Sequence, residues 1–278
     1  MKTTREILEE RTPNVKPALN SFFTDEKPDA DAHAICEKHG KYMFKYNDSI
    51  IVGKYMVHST CTKCVDERNA FIDAEIIRVD AIEKEDRMIK RILDCGVSKR
   101  NLSKTFSTFN AETQEQVKAK ALYQEFAYSV CNGLPVKNLI VCGSVGTGKT
   151  HLASSVVNDI TRSGKTCELV KIIDLIRQFK STWSKDNDAT EEKFLNYYTN
   201  VNALIIDEVG VQFGSDTEKM IIFDIIDGRY NNMLPTTLIS NLALPDVKEL
   251  IGERAIDRLR EDGGQVIAMS WPSHRGLL

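Results

Sequence analysis

Residues 139–150 read LIVCGSVGTGKT, an apolar strand running directly into the pattern G-x-x-x-x-G-K-T. No other stretch restricts the fold as tightly, because a phosphate-binding loop of this kind joins a buried parallel strand to the N-terminus of a helix. The spacing follows from chemistry. Gly143, Gly146 and Gly148 let the backbone of Gly143, Ser144, Val145, Gly146, Thr147 and Gly148 curl until successive N–H groups face phosphate oxygens. Lys149 then reaches the β and γ phosphates, and the Thr150 hydroxyl is placed to ligate Mg²⁺. The helix beginning here adds its positive end to the anion site. A nucleoside triphosphate with Mg²⁺ is the expected ligand.

The 278 residues are enough for one α/β domain with a full core and a smaller appendage. A net charge of −3 excludes a uniformly basic coat, so any contact with nucleic acid has to come from a local patch. No run has the apolar length of a membrane span, and MKTTREILEE lacks the apolar stretch of a signal peptide. No membrane partner is expected, and the expected location is the cytoplasm of a bacterial or phage-infected cell. Seven cysteines, an odd number, point to thiols and metal ligands, not to a disulfide framework.

The pattern divides the chain into four parts. Residues 1–35, interrupted by Pro13, Pro17 and Pro28, read as a flexible arm, and residues 36–65 as a small metal-bound module. In the module, Tyr42, Phe44 and Tyr46 followed by Ile50–Val52 suggest a hairpin. Residues 66–104 read as a helical linker of one or two helices, and 105–278 as the nucleotide-binding domain. Strands alternate with helices in the last part: a helix over 112–131, strands at 139–142, 167–172, 203–206, 236–240 and 265–270, and helices between them. Asp174 is expected to cap a helix through Trp183, and one helix is expected over about 245–261. Such alternation implies a parallel sheet with helices on both faces.

Leu204-Ile205-Ile206 delivers Asp207 and Glu208 to the C-terminal edge of the sheet, where ligands gather in open α/β folds. Asp207 would hold Mg²⁺ through water and Glu208 would polarise the attacking water. Asn241, directly after Leu238-Ile239-Ser240, sits where a side chain can hold the same water, or where an Asn simply turns the chain. Arg254 and Arg258 are four residues apart and share one helix face. They fit either a finger reaching a neighbouring subunit's γ phosphate or surface ion pairs with Glu253, Asp257 or Glu261. Arg275, past the last strand, is a candidate sensor of its own subunit's nucleotide.

Together, GSVGTGKTHLA, ALIIDEVG, the ISN strand end and GERAIDRLRED resemble the DnaC-type helicase loaders, a branch of the AAA+ ATPases, over about residues 105–275. The resemblance implies an ATPase in which Lys149 and Thr150 bind nucleotide and Mg²⁺, Asp207 and Glu208 are the acidic pair, and Asn241 is the first sensor. It implies Arg258, with Arg254 beside it, as the trans arginine, and Arg275 as the second sensor. It also implies a domain without the C-terminal helical lid of many AAA+ proteins. ATP-bound subunits would self-associate, engage a hexameric replicative helicase through their N-terminal region and help it take up single-stranded DNA, with hydrolysis releasing the loader. The DNA contact is expected on Arg177, Lys180 and Trp183, where cationic and aromatic side chains grip a single strand, although a buried Trp with solvated Lys fits the same residues. Two other functions share the pattern. One is an IstB-type transposition helper, and the other is a nucleotide-gated adaptor that never hydrolyses, which Glu208 argues against.

Cys36-x-x-His39 and Cys61-x-x-Cys64 place two donor pairs either side of 21 residues, near the spacing of zinc ribbons. A structural Zn²⁺ held by all four would leave no open position for water, so its role would be to fold the module.

Overall fold

The computed structural model describes residues 21–24, 33–43, 45–49, 54–58, 61–183, 190–210 and 215–273. Its contacts divide the chain into Met1–Asp86 and Arg87–Leu278. The sequence boundary near 105 is therefore placed too late. Ile92, Val97, Phe106 and Phe109 are all buried in the core of the larger unit, so the segment that reads as linker belongs to that core.

In the smaller unit, β1 (Ser21–Thr24), β5 (Lys54–His58) and β4 (Lys45–Ser49) form an antiparallel sheet in the order β1-β5-β4. β2 (His33–Cys36) and β3 (Gly40–Met43) pair separately. The expected hairpin thus falls into two separate antiparallel sheets, and the expected arm carries β1 and most of β2. Of the residues that suggested the hairpin, Phe44 and Ile50–Val52 lie outside the described residues. A single helix, α1 (Thr62–Asp94), covers the stretch free of Gly and Pro.

The larger unit is a five-stranded parallel sheet in the order β10-β6-β9-β8-β7, built from β6 (Leu139–Gly143), β7 (Cys167–Lys171), β8 (Ala203–Val209), β9 (Thr236–Ser240) and β10 (Gln265–Met269). Leu204, Ile205 and Ile206 are all fully buried, because both faces of the sheet are covered and no face needs polar residues. Leu139, Val141, Ala203, Ile205, Ile239 and Met269 point into one core, shared with α2 (Gln114–Asn132) and α3 (Lys149–Arg162). Ile140, Cys142, Leu204, Ile206 and Leu238 point into the other. That second core is covered by α4 (Ile172–Ser181), α5 (Glu191–Asn200), α6 (Asp216–Asn231), α7 (Leu244–Ile251) and α8 (Glu253–Arg260).

Local chemistry sets the helix ends. Thr113 and Gln116 form a reciprocal capping box on α2, and Gly133 ends that helix at φ 65°. Two expectations change. Asp174 lies in the first turn of α4 and the cap position is Lys171, so the acid favours the helix dipole without capping it. The single helix expected over 245–261 is two, α7 and α8, because Gly252 adopts φ 91°, ψ 150°, a conformation essentially reserved for glycine.

Candidate functional site

Parallel pairing brings every strand's C-terminal end to one edge. Gly143 of β6 aligns with Met269 of β10, and Cys142 aligns with Ser240 of β9. The glycine-rich loop therefore emerges between the ends of β9 and β10, with the end of β8 one strand further on. The loop is tightly enclosed. A Cβ on Gly148, where φ is 95°, would lie 2.6 Å from Phe109 Cε2, and one on Gly143 would lie 2.2 Å from the carbonyl oxygen of Met269. The Thr147 hydroxyl donates to the Ser144 carbonyl at 3.0 Å. Lys149 is buried, and its Nζ donates to the carbonyls of Gly143 and Ser144, both at 2.7 Å.

Thr150 Oγ1 donates to Asp207 Oδ2 at 3.0 Å, joining the first turn of α3 to the end of β8. Asp207 is 7% exposed, and burial pushes its carboxyl above the usual range despite hydrogen bonds from Thr150 and the Glu208 amide. A buried carboxylate and a hydroxyl at this separation form the hard oxygen pair that suits Mg²⁺. The β8–β9 register is irregular between Ile206 and Val209, and Glu208 sits at φ 58°. This bulge lets two consecutive acids serve one edge, where a regular strand would point them to opposite faces. Glu208 Oε1 pairs with Lys171 Nζ at 2.9 Å, a contact at the end of β7 that sequence reading did not anticipate.

Asn241 is exposed immediately after β9, between the ends of β6 and β8. Arg254 and Arg258 share α8 but differ in their surroundings. Arg258 Nε donates to Asp227 Oδ1 at 2.9 Å, its Nη1 reaches Glu261 Oε2 at 3.3 Å, and its guanidinium lies 4.4 Å from the Tyr230 ring centre. Arg254 is exposed, with no ion pair among the described residues, at the rim of a cavity of about 280 Å³ shared with Phe223, Asp257 and Arg258. Arg275 lies outside the described residues.

In the smaller unit the ligand atoms of Cys36, His39, Cys61 and Cys64 all lie within 4.8 Å of one another. His39 Nδ1 is 3.7, 3.6 and 3.2 Å from the sulfurs of Cys36, Cys61 and Cys64, and the Cys36 and Cys64 sulfurs are 3.5 Å apart. Tetrahedral zinc with bonds near 2.3 Å to sulfur and 2.0–2.1 Å to nitrogen requires ligand separations of about 3.6–3.8 Å, close to most of these distances, so the four donors are compatible with that ion. The Cys36 thiol is held down to about 6, chiefly by the backbone N–H groups of His39 and Lys38. His39 Nε2 meets Glu67 Oε1 at 3.1 Å, and Glu67 in turn accepts from Lys38. Donation from Nε2 leaves Nδ1 bare and free to ligate a metal.

A family model described as IstB-like ATP binding protein matches residues 59–259, well over half of the chain. The chain belongs to the IstB-like ATP-binding proteins. It is similar to the replicative helicase loader DnaC of Buchnera aphidicola subsp. Baizongia pistaciae, with 33% identity over 209 residues, 75% of this chain and 83% of that relative. It is 32% identical over 206 residues to the replicative helicase loader DnaC of Escherichia coli strain K12, covering 72% of this chain and 81% of that one. The crystal structure of the DnaC helicase loader matches with a TM-score of 0.52 at 26% identity, over 62% of this chain and 99% of that chain. The AAA+ α/β architecture expected from the sequence is thus shared with DnaC. Among the described residues, no helix is long and apolar enough to cross a membrane.

The IstB-like match includes the helix on which a DNA contact is expected. Trp183 is 54% exposed, which excludes the buried alternative. Arg177 pairs with Asp174 at 3.4 Å, Lys180 with Glu218 at 2.8 Å, and the Trp183 indole donates to Glu191 at 2.5 Å. Sequence reading missed Arg229, which is fully buried and donates to the carbonyls of Tyr198, Val201 and Pro235 and to the Thr236 hydroxyl. It fastens the end of α6 to the segments entering β8 and β9, which carry Asp207, Glu208 and Asn241. Nothing in its local sequence separates it from a surface arginine. Glu67 and Lys171 were missed for the same reason, since both act through partners distant in sequence.

Proposed function

We propose that this protein is an ATP-dependent loader of a hexameric replicative helicase onto single-stranded DNA. The observation that carries this reading is the 32–33% identity with replicative helicase loaders over about three quarters of the chain, combined with a phosphate loop and acidic pair assembled at one sheet edge. The loop amides and Lys149 bind the triphosphate, and Thr150 and Asp207 hold Mg²⁺. When bound, Mg²⁺ neutralises the charge that builds on the phosphate oxygens. Glu208 orients and polarises the attacking water once Lys171 releases it, and Asn241 holds that water from the adjacent strand end. Arg254 and Arg258 complete a neighbouring subunit's site, with Arg254 the freer to reach across, and Arg275 senses the nucleotide of its own subunit. The Zn²⁺ centre of Cys36, His39, Cys61 and Cys64 folds an N-terminal module that engages the helicase, and Arg177, Lys180 and Trp183 meet DNA.

A second reading, an ATP-dependent transposition helper, is favoured by the description of the family model itself. Co-purification of the full chain with hexameric replicative helicases and with transposases, with and without ATP, separates the two. Helicase capture supports loading. Transposase capture without helicase would replace that reading with the second.

A further inference from the structure

Trp271 follows β10 and is 5% exposed, packed in the same core as Phe109 and Met269. Its indole Nε1 donates to the carbonyl of Thr147 at 3.0 Å, in the middle of the phosphate loop. The carbonyl of Thr147 and the N–H of Gly148 belong to one planar trans peptide unit and point in opposite directions. Holding the carbonyl toward the indole, on the core side, therefore aims the Gly148 amide away from the core.

Without that bond, the backbone at Gly148 would not by itself hold the unit in this orientation. A peptide flip turns ψ of the residue before it and φ of the residue after it in opposite senses, and the residue after it is Gly148, which tolerates both signs of φ. The glycine that permits the cradle thus also permits its loss. The same segment meets the loop again at Ser273, whose Oγ lies 1.9 Å from the position of a Cβ on Gly146. Thr147 has no spare group to supply the restraint itself, since it is fully buried and its hydroxyl is engaged by Ser144.

We propose that Trp271 is a positioning residue for phosphate binding: its indole N–H latches the Thr147–Gly148 peptide so that the Gly148 amide faces the phosphates. The latch rests on the reading of this loop as a nucleotide site.

Trp271→Phe in the full chain keeps an aromatic ring in the core and removes the N–H. The latch predicts that AMPPNP binding, measured by calorimetry, weakens about 3- to 10-fold, the range expected for one hydrogen bond. A Trp271→Phe protein that binds AMPPNP as tightly as the parent would overturn the latch and leave the nucleotide reading intact. A parent that does not bind AMPPNP would overturn both. Indole N–H exchange in the parent gives an answer even if the variant does not fold, with Trp183→Phe used to assign the two indole signals. In the AMPPNP complex, the Trp271 indole proton should exchange far more slowly than that of exposed Trp183. Equal exchange would refute the latch.

Discussion

Gly148→Ala isolates the conformation that the phosphate loop requires. Two costs add. Alanine at φ 95°, ψ 13° leaves its allowed regions, which costs about 1–3 kcal/mol. The new methyl also lies 2.6 Å from Phe109 Cε2, so the ring has to retreat by most of an ångström. Phe109 cannot move freely, because it is buried and packs edge-on against His151 at 5.3 Å. Overpacking of this kind costs about 1–3 kcal/mol, which brings the total to about 2–6 kcal/mol. For a unit of this size that lowers Tm by roughly 4–24 °C. Urea denaturation of Gly148→Ala, Phe109→Leu and the double variant forms a cycle that separates the two costs. The smaller side chain should relieve the clash and leave the backbone strain, giving a favourable coupling of about 1–3 kcal/mol. Destabilisation below about 1 kcal/mol, or no coupling to Phe109, would refute the placement of Phe109 against the loop.

Four other outcomes are expected. Glu208→Gln should retain ATP binding and lose at least about 100-fold in hydrolysis, measured by phosphate release, as befits loss of the group that activates water. Arg254→Ala should lower hydrolysis only in the assembled state and leave stability unchanged, whereas Arg258→Ala should also destabilise the monomer, because Asp227, Glu261 and Tyr230 lose their partner; sedimentation, turnover and thermal melts decide this. Metal analysis should find one zinc per chain in the parent and a loss of zinc in Cys61→Ser, and a folded, zinc-free parent would end the assignment. Burial holds the His151 imidazole below its ordinary value of 6.5, so the unfolded chain takes up that proton first as pH falls. The stability His151 contributes is complete above that pH and lost below it, and urea titrations between pH 8 and pH 5 should show a shallower decline for His151→Asn.

The larger unit was legible because its signals are local. Strands buried on both faces read as unbroken apolar runs, and β9 occupies the residues expected, Thr236–Ser240. The phosphate loop declares itself by spacing, and Asp207 and Glu208 by the apolar run before them. What escaped depends on geometry. The break between α7 and α8 comes from one residue, Gly252, and an isolated glycine within a helical pattern is often tolerated. The pairing of Lys171 with Glu208 exists because β7 and β8 are neighbours, with Lys171 in register with Asp207, and strand order cannot be read from periodicity. Trp271 lies 124 residues from the carbonyl it holds. The four candidate zinc ligands were legible as close-spaced pairs, whereas Glu67, which meets His39, sits among many similar acids on α1.

Helicase loading by this chain is open to direct measurement. The direct test is transfer of a hexameric replicative helicase onto closed circular single-stranded DNA, scored as helicase retained on the circles after gel filtration. Addition of the chain with ATP should increase retained helicase, Lys149→Ala should abolish the increase, and Glu208→Gln should leave the loader trapped on the helicase. Retention that is the same with and without the chain, using helicases it binds, would rule out loading.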